Sequence, residues 1–213
     1  MTQATEIDFP ELADRLLAGS PGRRQIVAIA GPPGAGKSTA AELLRDAIND
    51  QRPGFAEILA MDGFHFDDAV LEARGHRPRK GAPHTFDIGG FLVMLKRLSA
   101  DDGTEIAVPV FDREIEIARA SAWIIRPAAR VILAEGNYLL LDHPDWAPMR
   151  SLFDCTVFLD VPFDVLHSRL MARWVGLGLT GEGLTRKMEE NDLPNVRLVL
   201  DESVAPDYRI NNF

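Results

Sequence analysis

The 213 residues hold 23 Lys and Arg against 32 Asp and Glu, a formal net charge of −9, and 46% of them are hydrophobic. That apolar content supports a core and excludes a disordered chain, while the acidic balance argues against duplex nucleic acid or an anionic membrane as the main partner. A lone cysteine, Cys155, excludes an intrachain disulfide and fits a reducing, cytoplasmic setting.

The opening MTQATEIDFPELADRL is polar and acidic, unlike a secretion signal. The longest apolar runs, at 131–134 and 138–141, are far short of a membrane span. Pro10 opens a predicted helix over 10–18, with Gly19 just past its end. Residues 25–30, QIVAIA, read as a strand buried on both faces. Residues 37–50 carry Leu43, Leu44 and Ala47 at helical spacing, and 57–61 predict a second buried strand. Asp87 caps a predicted helix over 88–98. The strand at 105–111 contains Pro109, which confines it to an edge or a small excursion. Further strands follow at 130–134 and 155–161, the latter taking Cys155 into the core. Pro162 opens a helix to about 175; another spans about 182–190, and 208–211 form a last short strand.

Strands alternating with helices predict an α/β, three-layer sandwich around a mostly parallel five-stranded sheet. One domain over 1–213 is expected, with an excursion at about 63–120 and a lid at about 169–190. Such sheets bind ligands at the carboxyl ends of their strands. The residues at those ends are Gly31–Ser38, Asp62, Asp112, Glu135 and Asp160.

Residues 31–38, GPPGAGKS, match G-x-x-x-x-G-K-[ST] at every fixed position, between a strand and a helix. The glycines let backbone N–H groups close on phosphate oxygens, and the helix start adds its positive end. On this reading Gly31, Pro32, Pro33, Gly34, Ala35, Gly36, Lys37, Ser38 and Thr39 hold ATP. Lys37 serves the β- and γ-phosphates, and the Ser38 hydroxyl helps hold Mg²⁺. Asp62 is placed to accept the proton of an attacking hydroxyl, or else it caps a turn. Arg169 and Arg173 share a helix face ahead of a glycine-rich stretch, the pattern of a lid over the transferring phosphoryl or of an exposed basic face. The basic run Arg77, Arg79, Lys80 is either a site for an anionic group or a solvated charge cluster.

In this order, Gly31–Ser38, Asp62-Gly-Phe-His, Phe111-Asp112 and Glu135-Gly-Asn resemble the uridine kinase, phosphoribulokinase and type 1 pantothenate kinase family. The later stretches EGNYLLL, FLDVP and ENDLPN resemble its subgroup labelled fructose transport system kinase. The resemblance implies a P-loop NTPase fold, Asp62 as general base and Glu135 near Mg²⁺. It implies acceptor contacts from His65, His84, Asp112 and Arg113, with catalytic support from Lys37, Arg169 and Arg173. The partner it implies is a small-molecule hydroxyl acceptor, a sugar such as fructose or a nucleoside, and it leaves a homodimer open. Phe111 stands where the family carries Tyr. A regulatory P-loop protein is the competing class. Neither the Asn-Lys-x-Asp of a GTPase nor the Leu-Ser-Gly-Gly of a transporter ATPase occurs in the sequence.

Overall fold

The computed structural model describes residues 4–19 and 22–213. A two-residue strand, β1 (Thr5–Glu6), leads into α1 (Phe9–Ala18), which starts where the Asp8 carboxylate accepts the Glu11 N–H. β2 (Gln25–Ala30) is the apolar run of the sequence, and five of its residues are buried in succession. α2 (Lys37–Gln51) returns the chain to β3 (Ala56–Ala60), and a 3-10 turn follows at Met61–Phe64. Next come α3 (Asp68–Ala73) and α4 (Ile88–Ala100), the latter capped by Asp87 as predicted.

β4 (Ile106–Asp112) and β5 (Ile117–Ile125) form a separate antiparallel pair. The pairing register shifts between Val108 and Val110, so Pro109, which has no N–H to give, sits in the irregularity. β6 (Val131–Gly136) and β7 (Cys155–Asp160) re-enter the main sheet. Then follow α5 (Phe163–Gly176), α6 (Gly181–Lys187), a π-helical turn (Met188–Asp192), α7 (Leu193–Glu202) and β8 (Tyr208–Asn211).

The main sheet runs β1-β8-β7-β2-β6-β3 with every pair parallel. It therefore has six strands rather than five. The added strand is β1, too short to show a periodicity and held at the edge by β8. Alternation along β2 divides the core. Ile26, Ala28 and Ala30 face a cluster with Phe91, Leu95 and Leu98 of α4, while Val27 and Ile29 face one with Leu12, Leu44 and Leu166 of α1, α2 and α5. Each fully buried aliphatic side chain contributes roughly 1.5–3 kcal/mol. This two-sided burial fixes β2 and β6, whose carboxyl ends carry the chemistry. Cys155 packs against the second cluster, and burial pushes its thiol up to about 12. Among the described residues no helix is long and apolar enough to cross a membrane.

Candidate active site

The loop between β2 and α2 is built on left-handed glycines. Gly34 and Gly36 have φ of 83° and 84°. A Cβ on Gly34 would stand 3.2 Å from Cγ of Leu170, so the loop is held against α5. Gly36 begins α2 without a side-chain cap. The first N–H groups of a helix lack intrahelical acceptors, so this end is a ready anion site. Lys37 is only 8% exposed, and its Nζ donates to the Pro32 carbonyl at 3.0 Å. Burial pulls its pKa down to about 8, against the opposing pull of Glu135 and Asp62.

Register brings Glu135 beside Ile29, one strand from the loop. The Ser38 hydroxyl donates to Glu135 Oε1 at 3.1 Å. Glu135 is 5% exposed and, among the described residues, has no ion-pair partner within 4 Å. Burial first, and the charge of Asp62 second, raise its pKa above the usual carboxylate range. A buried carboxylate is costly without a cation, and a hydroxyl–carboxylate oxygen pair suits a hard divalent ion. Among the described residues no three His, Cys, Asp or Glu converge to bind a metal. The Ser38 and Glu135 oxygens fit Mg²⁺, which keeps waters and phosphate oxygens in its shell.

Asp62 lies in the 3-10 turn that ends β3. The Asp-Gly-Phe-His string now has a physical reading. A Cβ at Gly63 would come within 2.6 Å of the Pro109 carbonyl oxygen, so only glycine lets the β4–β5 hairpin approach. Phe64 packs edge-on to Phe91 at 5.0 Å. The His65 ring lies between Phe86 and Phe111, with centroids at 4.1 and 4.9 Å, and its Nδ1–H donates to the Asp62 carbonyl at 2.8 Å. Burial lowers the His65 pKa, which favours the neutral ring. From the hairpin, Arg113 Nη2 donates to Asp62 Oδ2 at 2.9 Å, an ion pair whose arginine is about half exposed.

Two cavities meet at this turn. One, about 640 Å³, lies along the phosphate loop and is lined by Lys37, Ser38, Thr39 and Glu135. The other, about 530 Å³, is walled by His65, Phe86, Phe111, Lys80, Trp174 and Asn191. Asp62, Arg113, Glu116, Asn137 and Arg173 line both. Arg173 comes from α5, 5.2 Å from the centroid of the Trp174 ring, and among the described residues has no carboxylate within 4 Å. Arg169, one turn earlier, donates to the Gly34 carbonyl at 3.5 Å and so braces the phosphate loop.

The structure thus brings together Lys37, Ser38, Asp62, His65, Arg113, Glu135 and Arg173. It places two predicted acceptor residues elsewhere. His84 lines a third cavity and stacks edge-on to His76. Asp112 lines neither of the two joined cavities. It accepts N–H groups of Glu114 and Ile115 in the hairpin turn and pairs with Arg119 at 3.4 Å. Of the basic run, Arg77 and Lys80 line the acceptor-side cavity, both paired with Asp68, and Lys80 also donates to the Glu116 carbonyl at 2.7 Å.

Other lining residues escaped the sequence reading. Glu116 occupies the hairpin turn at φ 56°, a left-handed conformation unusual for a non-glycine residue. Asn191, Asp192 and Asn195 are buried polar residues on or beside the π-helical turn, a distortion common at functional sites. Trp174 packs against the second core cluster and also lines the cavity, where its Nε1–H donates to Asp192 Oδ2 at 2.6 Å. The signals for Asn191, Asp192 and Asn195 were polarity and their place in ENDLPN, which the resemblance marked without assigning them to a cavity. Asn191 and Asp192 interrupt a helical stretch where apolar residues would be expected.

The model of the phosphoribulokinase/uridine kinase family matches residues 26–191. The protein YggC of Escherichia coli K12 is 35% identical, over 86% of this chain and 76% of its own. A protein of Schizosaccharomyces pombe, named as a proposed uridine kinase, is 32% identical over 87% of this chain and 82% of its own. A crystal structure from Silicibacter sp. TM1040, named as a proposed fructose transport system kinase, superposes with a TM-score of 0.87. It is 38% identical and covers 95% of this chain and 98% of its own.

Proposed function

The chain belongs to the phosphoribulokinase/uridine kinase family, small-molecule kinases built on a P-loop, and we propose that it moves the γ-phosphoryl of ATP to a hydroxyl of a ring-shaped polyol, with Asp62 as general base. The observation that carries this is the position of Asp62. Its carboxylate lies on the wall shared by the phosphate-loop cavity and the acceptor-side cavity, at the end of a strand pointing into both. A hydroxyl beside Asp62 would lie between base and phosphoryl, the in-line arrangement such a transfer needs.

Each group then has a stated task. The loop N–H groups and Lys37 hold the phosphates. Ser38 and Glu135 would hold Mg²⁺, which would supply charge neutralisation on the phosphate oxygens. Asp62 takes the hydroxyl proton. Arg113 holds the Asp62 carboxylate in place until the acceptor arrives. Arg173, without a carboxylate partner among the described residues, stabilises charge on the transferring phosphoryl. On the acceptor side, the aromatic faces of Phe86, Phe111 and Trp174 suit a ring, and the amides of Asn137, Asn191 and Asn195 suit its hydroxyls. The names given to the relatives support a sugar such as fructose, or a nucleoside, as acceptor.

The test is acceptor-stimulated ADP release across a panel of free sugars, nucleosides, pantothenate and sugar phosphates. Asp62→Asn is the control. An acceptor that stimulates the wild type, with turnover reduced at least ~100-fold in the variant and ATP affinity retained, supports the assignment. Near-normal turnover by Asp62→Asn would remove Asp62 from the role. Silence across the panel with intact ATP binding would favour a nucleotide-binding regulator.

A further inference from the structure

A third cavity, about 410 Å³, lies apart from the two just described, between the turn that precedes α4, the segment after β6 and the start of α7. Much of its lining is apolar, including Ile88, Leu141, Trp146 and Leu198. Its polar side chains are Arg79, His84, His143 and Asn195, with one carboxylate, Asp145, whose backbone N–H donates to His143 Nδ1 at 3.3 Å. The Asp145 carboxylate is 3.7 Å from the same nitrogen.

Arg79 is the unusual member. Its terminal nitrogens donate to the Glu190 carbonyl at 2.6 Å and to Asn195 Oδ1 at 3.3 Å. No carboxylate lies within 4 Å of it among the described residues. Its Nε–H and the Trp146 Nε1–H are both buried without an acceptor. A guanidinium set against apolar surface without a counter-charge is unfavourable, and a charge-assisted bond to an anion relieves that cost.

We propose that this cavity is a second small-molecule site, taking a carboxylate with an apolar body. Its volume lies within the range of small-ligand pockets. One permanent cation and two buried N–H groups without acceptors, on Arg79 and Trp146, suit the two oxygens of a single carboxylate, whereas a phosphate monoester brings about two charges. The His84 pKa is lowered by burial and by the neighbouring His76 and Arg79, so a bound anion would also favour its protonated, donating form. The site is coupled to catalysis by contact. Asn195 lines both this cavity and the acceptor cavity. From Asn195 the chain of bonds runs to Asn191 Oδ1 at 3.4 Å, and from Asn191 Nδ2 to the Lys80 carbonyl at 3.0 Å. A ligand that draws Arg79 toward itself acts on the clasp joining the acceptor loop to the π-helical turn.

The test reads binding rather than activity, so it stands whether or not the kinase assignment does. The protein has three tryptophans, and 5-fluorotryptophan labelling reports on each by fluorine NMR. Trp146 marks the new cavity, Trp174 the acceptor cavity and Trp123 the exposed hairpin. The probes are 4-phenylbutanoate, its neutral analogue 4-phenylbutan-1-ol, and 3-phenylpropyl phosphate. The expected result is a saturable shift at Trp146 with 4-phenylbutanoate, and affinity at least ~10-fold weaker for the alcohol. His84→Glu and His143→Glu, both at exposed positions, each weaken the carboxylate at least ~10-fold with Trp123 unmoved. If one variant fails to fold, the other decides. The proposal is overturned by no saturable Trp146 shift, by equal affinity for the alcohol, by tighter binding of the phosphate, or by a shift at Trp174 without Trp146.

Discussion

Replacing Gly63 with alanine tests whether the hairpin sets the geometry of Asp62. Gly63 is not among the positive-φ glycines, so alanine is allowed by the backbone and only its methyl group matters. That Cβ would stand 2.6 Å from the Pro109 carbonyl oxygen and 2.9 Å from its carbon. Ordinary contact begins at 3.4 Å, so turn and hairpin must part by about 0.8 Å, the difference between 3.4 and 2.6. The turn is anchored by buried Met61 and Phe64, whereas the hairpin is a two-stranded pair outside the main sheet. The hairpin should therefore give way, carrying Arg113 from Asp62 and Phe111 from the acceptor wall. Displacement of reacting groups by about 1 Å costs up to ~100-fold in rate. The expected result is a 10- to 100-fold loss of acceptor kcat/KM with ATP affinity within about twofold, because the phosphate loop rests on other elements. Overpacking should also cost about 1–3 kcal/mol of stability. Gly89→Ala is the control: it lies in α4, its Cβ meets only Asp87 Oδ1 at 3.7 Å, and it should be neutral or slightly stabilising. Wild-type kcat/KM in Gly63→Ala, measured by ADP release, would refute the reasoning.

Arg173→Ala should lower kcat about 100- to 1,000-fold with ATP affinity little changed, a split read from initial rates and an equilibrium ATP titration. Glu135→Gln should raise the Mg²⁺ concentration needed for half-maximal rate about 10- to 100-fold, measured by Mg²⁺ titration at saturating ATP. ATP affinity should be steady at pH 7.5 and fall as pH rises through about 8, where Lys37 loses its proton in the free protein. The sign follows because burial depresses this lysine while phosphate favours its charged form, so above that pH binding must take up a proton. Calorimetric titration across pH 7.5–9.5 checks this, and a flat affinity would contradict it.

Much of the fold was legible because burial on both sheet faces leaves a plain signature. QIVAIA announced β2, and the glycines and lysine after it could serve only a narrow set of ends. What escaped depended on contacts distant in sequence. β1 is two residues long and exists through pairing with Tyr208 and Arg209. β5 is largely exposed, and its alternation carries little apolar signal. Pro194 in ENDLPN reads as a break, yet it occupies the first turn of α7, where a proline costs no hydrogen bond. In the site, a residue's type was readable but its direction was not. His84 and His65 have the same chemistry, and only the course of the chain between them sends one to the acceptor cavity and the other to a separate pocket. Asp112 and Asp62 both end strands, but Asp112 is taken up by the N–H groups of its own turn.

Lys37 and Glu135 share one feature of their surroundings. Each is held where burial disfavours its charge, the lysine pulled down and the carboxylate pushed up. Neither state is one that folding alone would select. No ion pair within 4 Å joins them among the described residues, and Glu135 spends its one hydrogen bond on Ser38. Under the proposed function the arrangement becomes favourable when a polyphosphate meets the lysine and a divalent cation meets the carboxylate together. Residues kept in place at that cost are tied to a ligand rather than to the core, and a ligand-tied residue carries a fixed spacing that a single sequence can display. Asn191 and Asp192 stood in the ENDLPN stretch, which was readable as a resemblance but not as a cavity wall, and Glu116 is held by a local distortion of its turn that many sequences allow.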